Sequence, residues 1–481
     1  MKYSHLFNKS FPAVVLLSRG MSAKDSYSGT GVHRVTKTES EEKIVAVLSG
    51  FLLPLLLVSA GIYFAAKLRF FWILHPIRTA KQLLQSVSAA GTSPFAALTM
   101  ALAGTLGVGN IAGVATAITA GGAGAVLWMI LGACAAMSVK YAEVYLAVRW
   151  RRTRRENGIS AYFGGAMYYI RDGITARART SLGRRIASLL GGGFAVLCLL
   201  NTCLTGGLVQ VYAAVRCVPL PPLLFGMLFA LVVWILSRRG TDCVAALTAV
   251  VIPILAGAFL LLSLGILFTH RTEIPFVLQK IWEEAWDFSS AAGGVLGFGV
   301  SRAVRFGITR GIFSNEAGCG TAPTAHAAAQ TVSPHHQGCF GIFEVFADTV
   351  LLCSVTALVI LCYRDGEGLD GIELALTAYT RLADETGGAV LGAAANLLLR
   401  LSIVLFALAT VICQSCYGME AVRYFTSRRI ARIGYRTIST AAILLGSVIS
   451  PGPMWQCADA VVTVMTLWNV GCLLLLRREI E

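Results

Sequence analysis

Long apolar stretches recur along this chain from Ile44 to Leu476, and they constrain its fold more than any other feature. Hydrophobic residues make up 56% of the 481 residues and charged residues only 14%, and the mean hydropathy is +0.70. A soluble domain carries far more charge, whereas about 20 consecutive apolar residues suffice for a helix to span a bilayer. The sequence therefore predicts an all-α polytopic membrane protein in contact with the lipid bilayer.

The apolar windows divide into eleven predicted spans joined by short loops. We place them at 44–66, 94–118, 124–148, 191–215, 220–237, 244–268, 287–306, 338–362, 388–412, 437–453 and 455–476. Residues 1–42 are polar and mixed in composition, which predicts a disordered tail, or in part a start assigned too far upstream of Met21. Residues 43–481 are predicted to form one membrane domain.

Positive charge is unevenly distributed among the loops. The predicted loop at 149–190, which follows the third span, carries ten arginines, including the run Arg151-Arg152-Thr153-Arg154-Arg155. Loops rich in Lys and Arg face the cytoplasm, so the N-terminus is predicted outside and the C-terminus inside. The net charge of +15 is thus a topology signal, and no basic face interleaved with aromatics predicts nucleic-acid binding.

The second predicted span contains a glycine-rich segment, 104–110, with the sequence GTLGVGN. Glycines weaken a helix, and hydrocarbon solvates Thr and Asn poorly, so a broken helix is predicted. Unwound backbone at membrane depth can hold the charged groups of a small zwitterion and replace the hydration shell of sodium.

Five spans later, Gly293–Gly299 repeats this glycine-rich pattern. The repetition predicts two inverted repeats, 94–268 and 287–476, with 44–66 as a peripheral helix. Close helix packing is the alternative for Gly293–Gly299.

Other functional classes lack their signatures in this sequence. Thirteen cysteines are scattered mostly through apolar windows, and the one C-x-x-C, Cys413–Cys416, lies inside a predicted span, so no disulfide framework or zinc site is predicted. No nucleotide-binding motif and no hydrolase motif occurs, which argues against ATP drive and against an enzyme. The two halves also lack a repeated filter of the kind that a channel needs.

Several motifs follow one another in an order that we associate with one family. They are the runs 104–115, 121–125, 140–144, 164–170, 310–318, 325–329, 337–338, 346–349 and 417–418. Together they resemble the bacterial sodium:alanine (alanine or glycine:cation) symporters, from about Leu53 to Asn469. The resemblance implies an eleven-helix, leucine-transporter-type 5+5 inverted repeat with one extra N-terminal helix, in the bacterial cytoplasmic (inner) membrane. It also implies uptake of a small neutral amino acid coupled to sodium entry by alternating access. A proton-coupled transporter of the same fold and a non-transporting relative are the alternatives, and no oligomeric state is predicted.

The resemblance also implies which residues bind the cargo. For the amino acid these are Thr105, Gly107, Gly109, Asn110, Gln210, Gly293, Gly294, Gly297 and Gln414. For the sodium ion they are Thr410 with backbone carbonyls of the segment from Gly104 to Gly107. Gln210 could instead form an interhelical hydrogen bond, and Thr410 could bond back to its own helix.

Several positions depart from the family pattern near the predicted pocket. Gln414 and Met419 stand where the family has tryptophan and glutamate, and Ala96 stands where it has glutamine. An amide in place of an indole enlarges and polarises a pocket. A larger or more polar amino acid than alanine or glycine is therefore an alternative substrate.

Ionisable residues in the predicted spans are hypotheses of function, because charge in a bilayer is costly. We expect Glu143 to pair with Lys140, one helical turn away, at the cytoplasmic edge. Asp348 and Asp459 are either proton or cation stations or structural hydrogen-bonding groups. Segment 314–318 is predicted to lie in a cytoplasmic loop, as an inner-gate turn or a structural loop, and His326 is predicted to be a loop residue.

Overall fold

The computed structural model describes residues 48–84, 91–156, 159–287, 301–331, 333–363, 368–449 and 451–480. The predicted tail at 1–42 lies outside these residues, as do Gly293, Gly294 and Gly297. Within the described ranges seven helices are long and apolar enough to cross a membrane. The prediction of a mostly helical membrane protein is therefore confirmed.

Nineteen α-helices are described, several of them extended by a π- or 3-10-helical turn. Their bounds are α1 Leu53–Lys67, α2 Phe71–Leu74, α3 Pro76–Leu84, α4 Pro94–Thr105, α5 Ala112–Gly121, α6 Ala125–Arg149, α7 Ala166–Arg177, α8 Ser181–Cys203, α9 Gln210–Val215, α10 Pro222–Ser237, α11 Thr241–Thr269, α12 Ile274–Ala285, α13 Arg302–Asn315, α14 Pro323–Ala327, α15 Pro334–Val345, α16 Ser354–Cys362, α17 Gly371–Phe425, α18 Arg429–Val448 and α19 Pro451–Leu475. The π-helical turns are Leu48–Leu52, Leu204–Val209 and Phe346–Cys353, and the 3-10 turns are Val108–Asn110 and Arg477–Glu479.

Most predicted spans coincide with helices, with differences at their ends. The helix at the span predicted at 191–215 begins earlier, at Ser181. Its first turns were not included in the predicted span because Arg184 and Arg185 lower their average hydropathy. The span predicted at 388–412 belongs to α17, where two helices meet at Gly387 and Gly388, whose backbone is not helical. Its second arm continues to Phe425 rather than ending near 412.

The span predicted at 287–306 differs most from the structure. Of that window the described residues are 287 and 301–306, and the helix there, α13, begins at Arg302 and runs on to Asn315. Arginines inside this helix, Arg302, Arg305 and Arg310, hid its extent, because they lower its average hydropathy. Because the helix ends later than predicted, Ser314 and Asn315 lie in its last turn and residues 316–318 directly follow it.

A short β-hairpin interrupts the all-helical architecture. Strands β1 Arg152–Glu156 and β2 Ile159–Phe163 pair antiparallel, with Arg152 opposite Phe163. The arginine run was interpreted as topology signal alone, so the hairpin was not predicted. It follows directly after α6 and lies at the end of the molecule where α14 contacts β2.

Helix α6 lies at the centre of the packing, against α1, α13 and α15. Small residues permit these close approaches: a methyl group built on Gly307 of α13 would lie 2.3 Å from the backbone oxygen of Ala125. Likewise, one on Gly61 of α1 would lie 2.5 Å from the oxygen of Ala135. Backbone-to-backbone packing of this kind is typical of helices that associate in a bilayer.

Candidate functional site at two interrupted helices

The glycine-rich segment predicted to break a helix does so. Helix α4 begins at Pro94, with the Ser93 hydroxyl capping it by accepting from the Ala96 N–H at 3.1 Å, and it ends at Thr105. A 3-10 turn at Val108–Asn110 follows before α5 begins at Ala112. We call the stretch 106–111 the first interruption; it is buried throughout.

Neutral side chains from two other helices bind the backbone of the first interruption. Gln210 Oε1 accepts from the Val108 N–H at 3.0 Å. The Thr410 hydroxyl donates towards the carbonyls of Ala103 and Leu106, at 2.9 and 3.3 Å. Thr410 thus reaches across to α4 rather than to its own helix, and Gln210 makes the interhelical bond that was the alternative reading.

Gly107 is required by the space available. A methyl group there would lie 2.6 Å from Oε1 of Gln210 and 3.0 Å from Oγ1 of Thr410. The structure therefore brings Gly107, Gln210 and Thr410 together, as the sequence predicted. The carbonyl of Gly104, in contrast, accepts from Gln414 Nε2 at 3.4 Å, so the carbonyls nearest the Thr410 hydroxyl are those of Ala103 and Leu106.

Thr105 and Asn110 point away from this group. The Thr105 hydroxyl donates within its own helix, to the carbonyls of Ala101 and Leu102 at 3.4 and 3.3 Å. Asn110 Oδ1 accepts from the Gly107 N–H at 3.3 Å, and its Nδ2 donates to Oδ1 of Asp348 at 2.8 Å. Asn110 therefore holds the interruption in shape, whereas Thr105 bonds only within α4.

A second interruption, Glu316–Ala322, separates α13 from α14 and lies beside the first. Glu316, Gly318 and Gly320 have positive φ values of 49°, 86° and 79°. A methyl group built on Gly109 would lie 3.2 Å from Cα of Ser314, so the first interruption contacts the last turn of α13, directly ahead of the second. The predicted turn is present from Glu316 onward, but Ser314 and Asn315 belong to α13 and the whole segment 314–318 is buried. The glycines that follow Asn315 and Glu316 are the signal from which the sequence predicts a turn here.

Glu316 joins the second interruption to Gln414. Gln414 is fully buried and its Nε2 donates to both carboxylate oxygens of Glu316, at 3.0 and 3.2 Å. The Thr321 hydroxyl also donates to Glu316. Oε1 of Gln414 has no hydrogen-bond partner among the described residues. This orphan acceptor makes Gln414 a candidate for contact with a hydrogen-bond donor on a ligand.

A buried ionic cluster surrounds the second interruption. Lys140 Nζ lies 3.0 Å from Oε1 of Glu344, and Nε2 of His326 lies 3.0 Å from its Oε2. Glu143 instead accepts from Asn469 at 2.5 Å, and Asn469 also donates to the carbonyl of Gly318 at 2.9 Å. The expected pair of Glu143 with Lys140 is therefore wrong, as is the loop placement of His326, which is fully buried. Helical spacing could not reveal Glu344, which is distant in sequence.

Two cavities flank the interrupted helices, at opposite ends. The larger, of about 360 Å³, lies on the α5 side and is lined by Val108, Ala112, Gly113, Thr116, Tyr212, Arg216, Arg310 and Trp455, among others. Arg310 pairs there with Asp459 at 3.1 Å, which makes Asp459 a structural partner in this conformation. The cavity reaches the first interruption at Val108, so cargo can approach from this side.

The α4 side is more tightly closed. Its cavity is only about 50 Å³ and is lined by residues that include Met100, Arg154 and Glu420. The Tyr168 hydroxyl donates to Glu420 at 2.9 Å. Burial, together with this carboxylate, raises the pKa of Tyr168, so the hydroxyl keeps the proton that it donates. Polar contacts therefore line the smaller cavity at this end of the interrupted helices.

Unwound backbone in the middle of an apolar helical bundle, with a cavity reaching it, is the arrangement of a membrane transport protein. A sequence model of the sodium:alanine symporter family matches residues 36–481, and the chain belongs to that family. The sodium/alanine symporter AgcS of Methanococcus maripaludis is 32% identical, over 88% of this chain and 90% of that protein. A probable sodium/glutamine symporter, GlnT of Bacillus subtilis, is 30% identical, over 89% of this chain and 86% of its own length.

Among solved structures, a manganese transporter of Eremococcus coleocola is similar, with a TM-score of 0.49 and 14% identity over 79% of this chain and 76% of its own. The family assignment makes the chain a transmembrane transporter and not an enzyme, as the sequence predicted.

Proposed function

We propose that this protein couples the uptake of a small neutral amino acid to sodium entry. The observation that supports this best is the meeting of Gly107, Gln210 and Thr410 at an interrupted helix beneath an open cavity. We assign sodium to the Thr410 hydroxyl with the carbonyls of Ala103 and Leu106, which are oxygen ligands suited to a hard cation. Gly104 and Gly107 shape this site through their backbone.

The amino acid is assigned to the space between the two interruptions. The Val108 N–H and the amide of Gln210, which bond to each other in this structure, are neutral groups that can bind a carboxylate when it replaces their mutual hydrogen bond. The free Oε1 of Gln414 accepts from a donor on the substrate. We therefore expect substrates that include a polar side chain, such as glutamine, besides alanine and glycine.

The architecture proposed with this function has eleven spans. The seven long apolar helices are joined by α10, α18 and the two interrupted pairs, α4 with α5 and α13 with α14. Two interrupted helices in contact are the arrangement expected of an inverted repeat whose halves alternate access. The charge distribution supports an N-terminus outside and a C-terminus inside in a bacterial cytoplasmic membrane.

Uptake into proteoliposomes tests the proposal. Labelled alanine, glycine and glutamine would be supplied with an inward sodium gradient, or with potassium in its place. We expect sodium-dependent accumulation of at least one of them. Uptake that follows a pH gradient and ignores sodium would contradict sodium coupling, and a folded protein that accumulates none of the three would contradict the substrate class.

A further inference from the structure

We propose that four arginines at one end of α10, α17 and α18 bind the phosphate of an anionic lipid headgroup. We call them the arginine cluster; they are Arg238, Arg423, Arg432 and Arg436. The sequence shows only that this region is basic, because residues 421–450 contain five arginines and no Asp or Glu. The structure adds how the arginines are grouped and how few partners they have. This inference does not depend on the transport function proposed above.

Arg436 lies at the centre of the arginine cluster. Three other arginines are near enough to repel its positive charge: Arg238 at the C-terminal end of α10, Arg423 in the last turn of α17, and Arg432 one turn earlier on α18. Helices α10 and α18 pack against each other, and Arg436 lines a narrow crevice between them together with Trp234. Three helices therefore bring positive charge to one place.

The arginine cluster has too few acidic partners. Glu420 lies 3.5 Å from Arg423 but also 3.5 Å from Arg154, so one carboxylate faces two guanidinium groups. Over the described residues the side chains of Arg432 and Arg436 form no ion pair or hydrogen bond, and the Nε atom of each is buried. A buried donor without an acceptor is costly, and so are like charges four residues apart on a helix. An anion bound between these two guanidinium groups removes both costs.

A phosphate carried by a lipid is the anion that suits this arrangement. Guanidinium groups are planar, and their N–H groups bind phosphate oxygens in pairs. The neighbouring surface is apolar, with Leu231 and Ile235 of α10 and Ile438 of α18 exposed on helices that we place in the bilayer. Acyl chains can pack on this surface while the headgroup contacts the arginines. Basic pockets between helices at a membrane surface bind anionic lipids in this way.

Thermal unfolding of the purified full-length chain in a neutral detergent tests this inference. Phosphatidylglycerol, phosphatidylcholine and inorganic phosphate would be titrated into separate samples. We expect phosphatidylglycerol alone to raise the unfolding temperature, and to do so saturably, because a ligand that binds only the folded chain stabilises it. An equal rise with phosphatidylcholine would overturn the requirement for an anionic lipid. An equal rise with inorganic phosphate would overturn the assignment of the site to a lipid.

Paired substitutions test the residues. Arg432→Met with Arg436→Met keeps the apolar stems and removes both guanidinium groups. We expect the half-saturating concentration of phosphatidylglycerol to rise roughly 100-fold, the factor for two lost charge-assisted hydrogen bonds. The matched control is Arg428→Met with Arg429→Met, which removes the same charge from exposed positions nearby and should change that concentration less than about threefold, because salt screens exposed charges. Equal weakening in both pairs would indicate diffuse attraction and overturn the site.

Arg432→Lys with Arg436→Lys keeps the test decisive if the methionine pair fails to fold. This variant retains both charges but not the planar guanidinium groups, so we expect roughly tenfold weaker binding of phosphatidylglycerol, the factor for one lost charge-assisted contact. Unchanged binding would overturn the proposed contact between guanidinium and phosphate. Without lipid, the methionine pair should unfold no earlier than the unchanged protein, because it loses repulsion. Earlier unfolding would show that these arginines have partners within the chain and would also overturn the inference.

Discussion

The two interruptions lie side by side yet are stabilised by different interactions. Neutral groups hydrogen-bond to the backbone of the first: Gln210 to the Val108 N–H and Thr410 to the Leu106 carbonyl. The second carries a carboxylate, Glu316. The helix that follows it, α14, carries His326, which contacts Glu344, the buried partner of Lys140. One interruption is thus uncharged and sterically tight, and the other is embedded in charge.

This difference assigns different tasks to the two segments. Neutral dipoles can bind and release a cation or a zwitterion without a large change in net charge, which suits a site that must empty on every cycle. A buried ion pair is costly to disrupt, which suits a segment that must hold its shape. We infer that the first interruption binds cargo directly and that the second acts mainly as its rigid counterpart.

The largest effect is expected from removing one charge of the buried ion pair near the second interruption. Lys140→Met leaves Glu344 buried without its lysine and should lower the free energy of unfolding by about 3–5 kcal/mol. A denaturant titration in detergent measures this. Lys280→Met is the matched control, because Lys280 is half-exposed and its contact with Glu284 is long, at 3.9 Å; it should change stability by less than about 0.5 kcal/mol. Equal losses of stability in both variants would contradict the proposal that the buried ion pair stabilises the region of the second interruption.

The next effect concerns the space at the first interruption. Gly107→Ala places a methyl group 2.6 Å from Oε1 of Gln210, so either the backbone or Gln210 must move. We expect initial uptake to fall roughly 100-fold, about 2.7 kcal/mol, with the folded protein retained. Gly265→Ala on α11, where a methyl group meets nothing within 4 Å, should leave uptake unchanged. Retained uptake in Gly107→Ala would contradict the assignment of Gly107 to the site.

Sequence reasoning predicted the first interruption and a turn at the second, but not the burial and the contacts of the second, for a physical reason. At 104–110 three glycines and two polar residues stand in an apolar run, so local composition alone reveals the break. The buried contacts of the second interruption include the hydrogen bond between Glu316 and Gln414, which are distant in sequence. Thr410 could be predicted from the resemblance to the family. The pairing of Lys140 with Glu344 could not be predicted, because it follows from the packing of α6 against α15. Charge partners follow tertiary contacts, which helical periodicity does not encode.

A smaller effect is expected at Thr410. Thr410→Ala removes the hydroxyl that reaches the Ala103 and Leu106 carbonyls and should raise the half-saturating sodium concentration for uptake roughly tenfold. Thr410→Ser keeps the hydroxyl and should restore most of the affinity. Sodium titration of initial rates measures both variants. If Thr410→Ser behaves as Thr410→Ala does, lost packing rather than a lost ligand explains the defect.

The smallest effect is expected at Thr105, although it lies at the edge of the first interruption. Its hydroxyl donates only to the Ala101 and Leu102 carbonyls of its own helix, which already belong to the helical ladder. Thr105→Val keeps the volume, so we expect a loss of about 1 kcal/mol or less in stability. Uptake rates and half-saturating sodium should stay within about twofold, since no ligand-binding group is lost. The measurement is the same sodium titration as for Thr410. A tenfold weaker substrate or sodium affinity in Thr105→Val would show that this hydroxyl turns towards the cargo during the cycle, and the uncharged binding surface would then extend into α4.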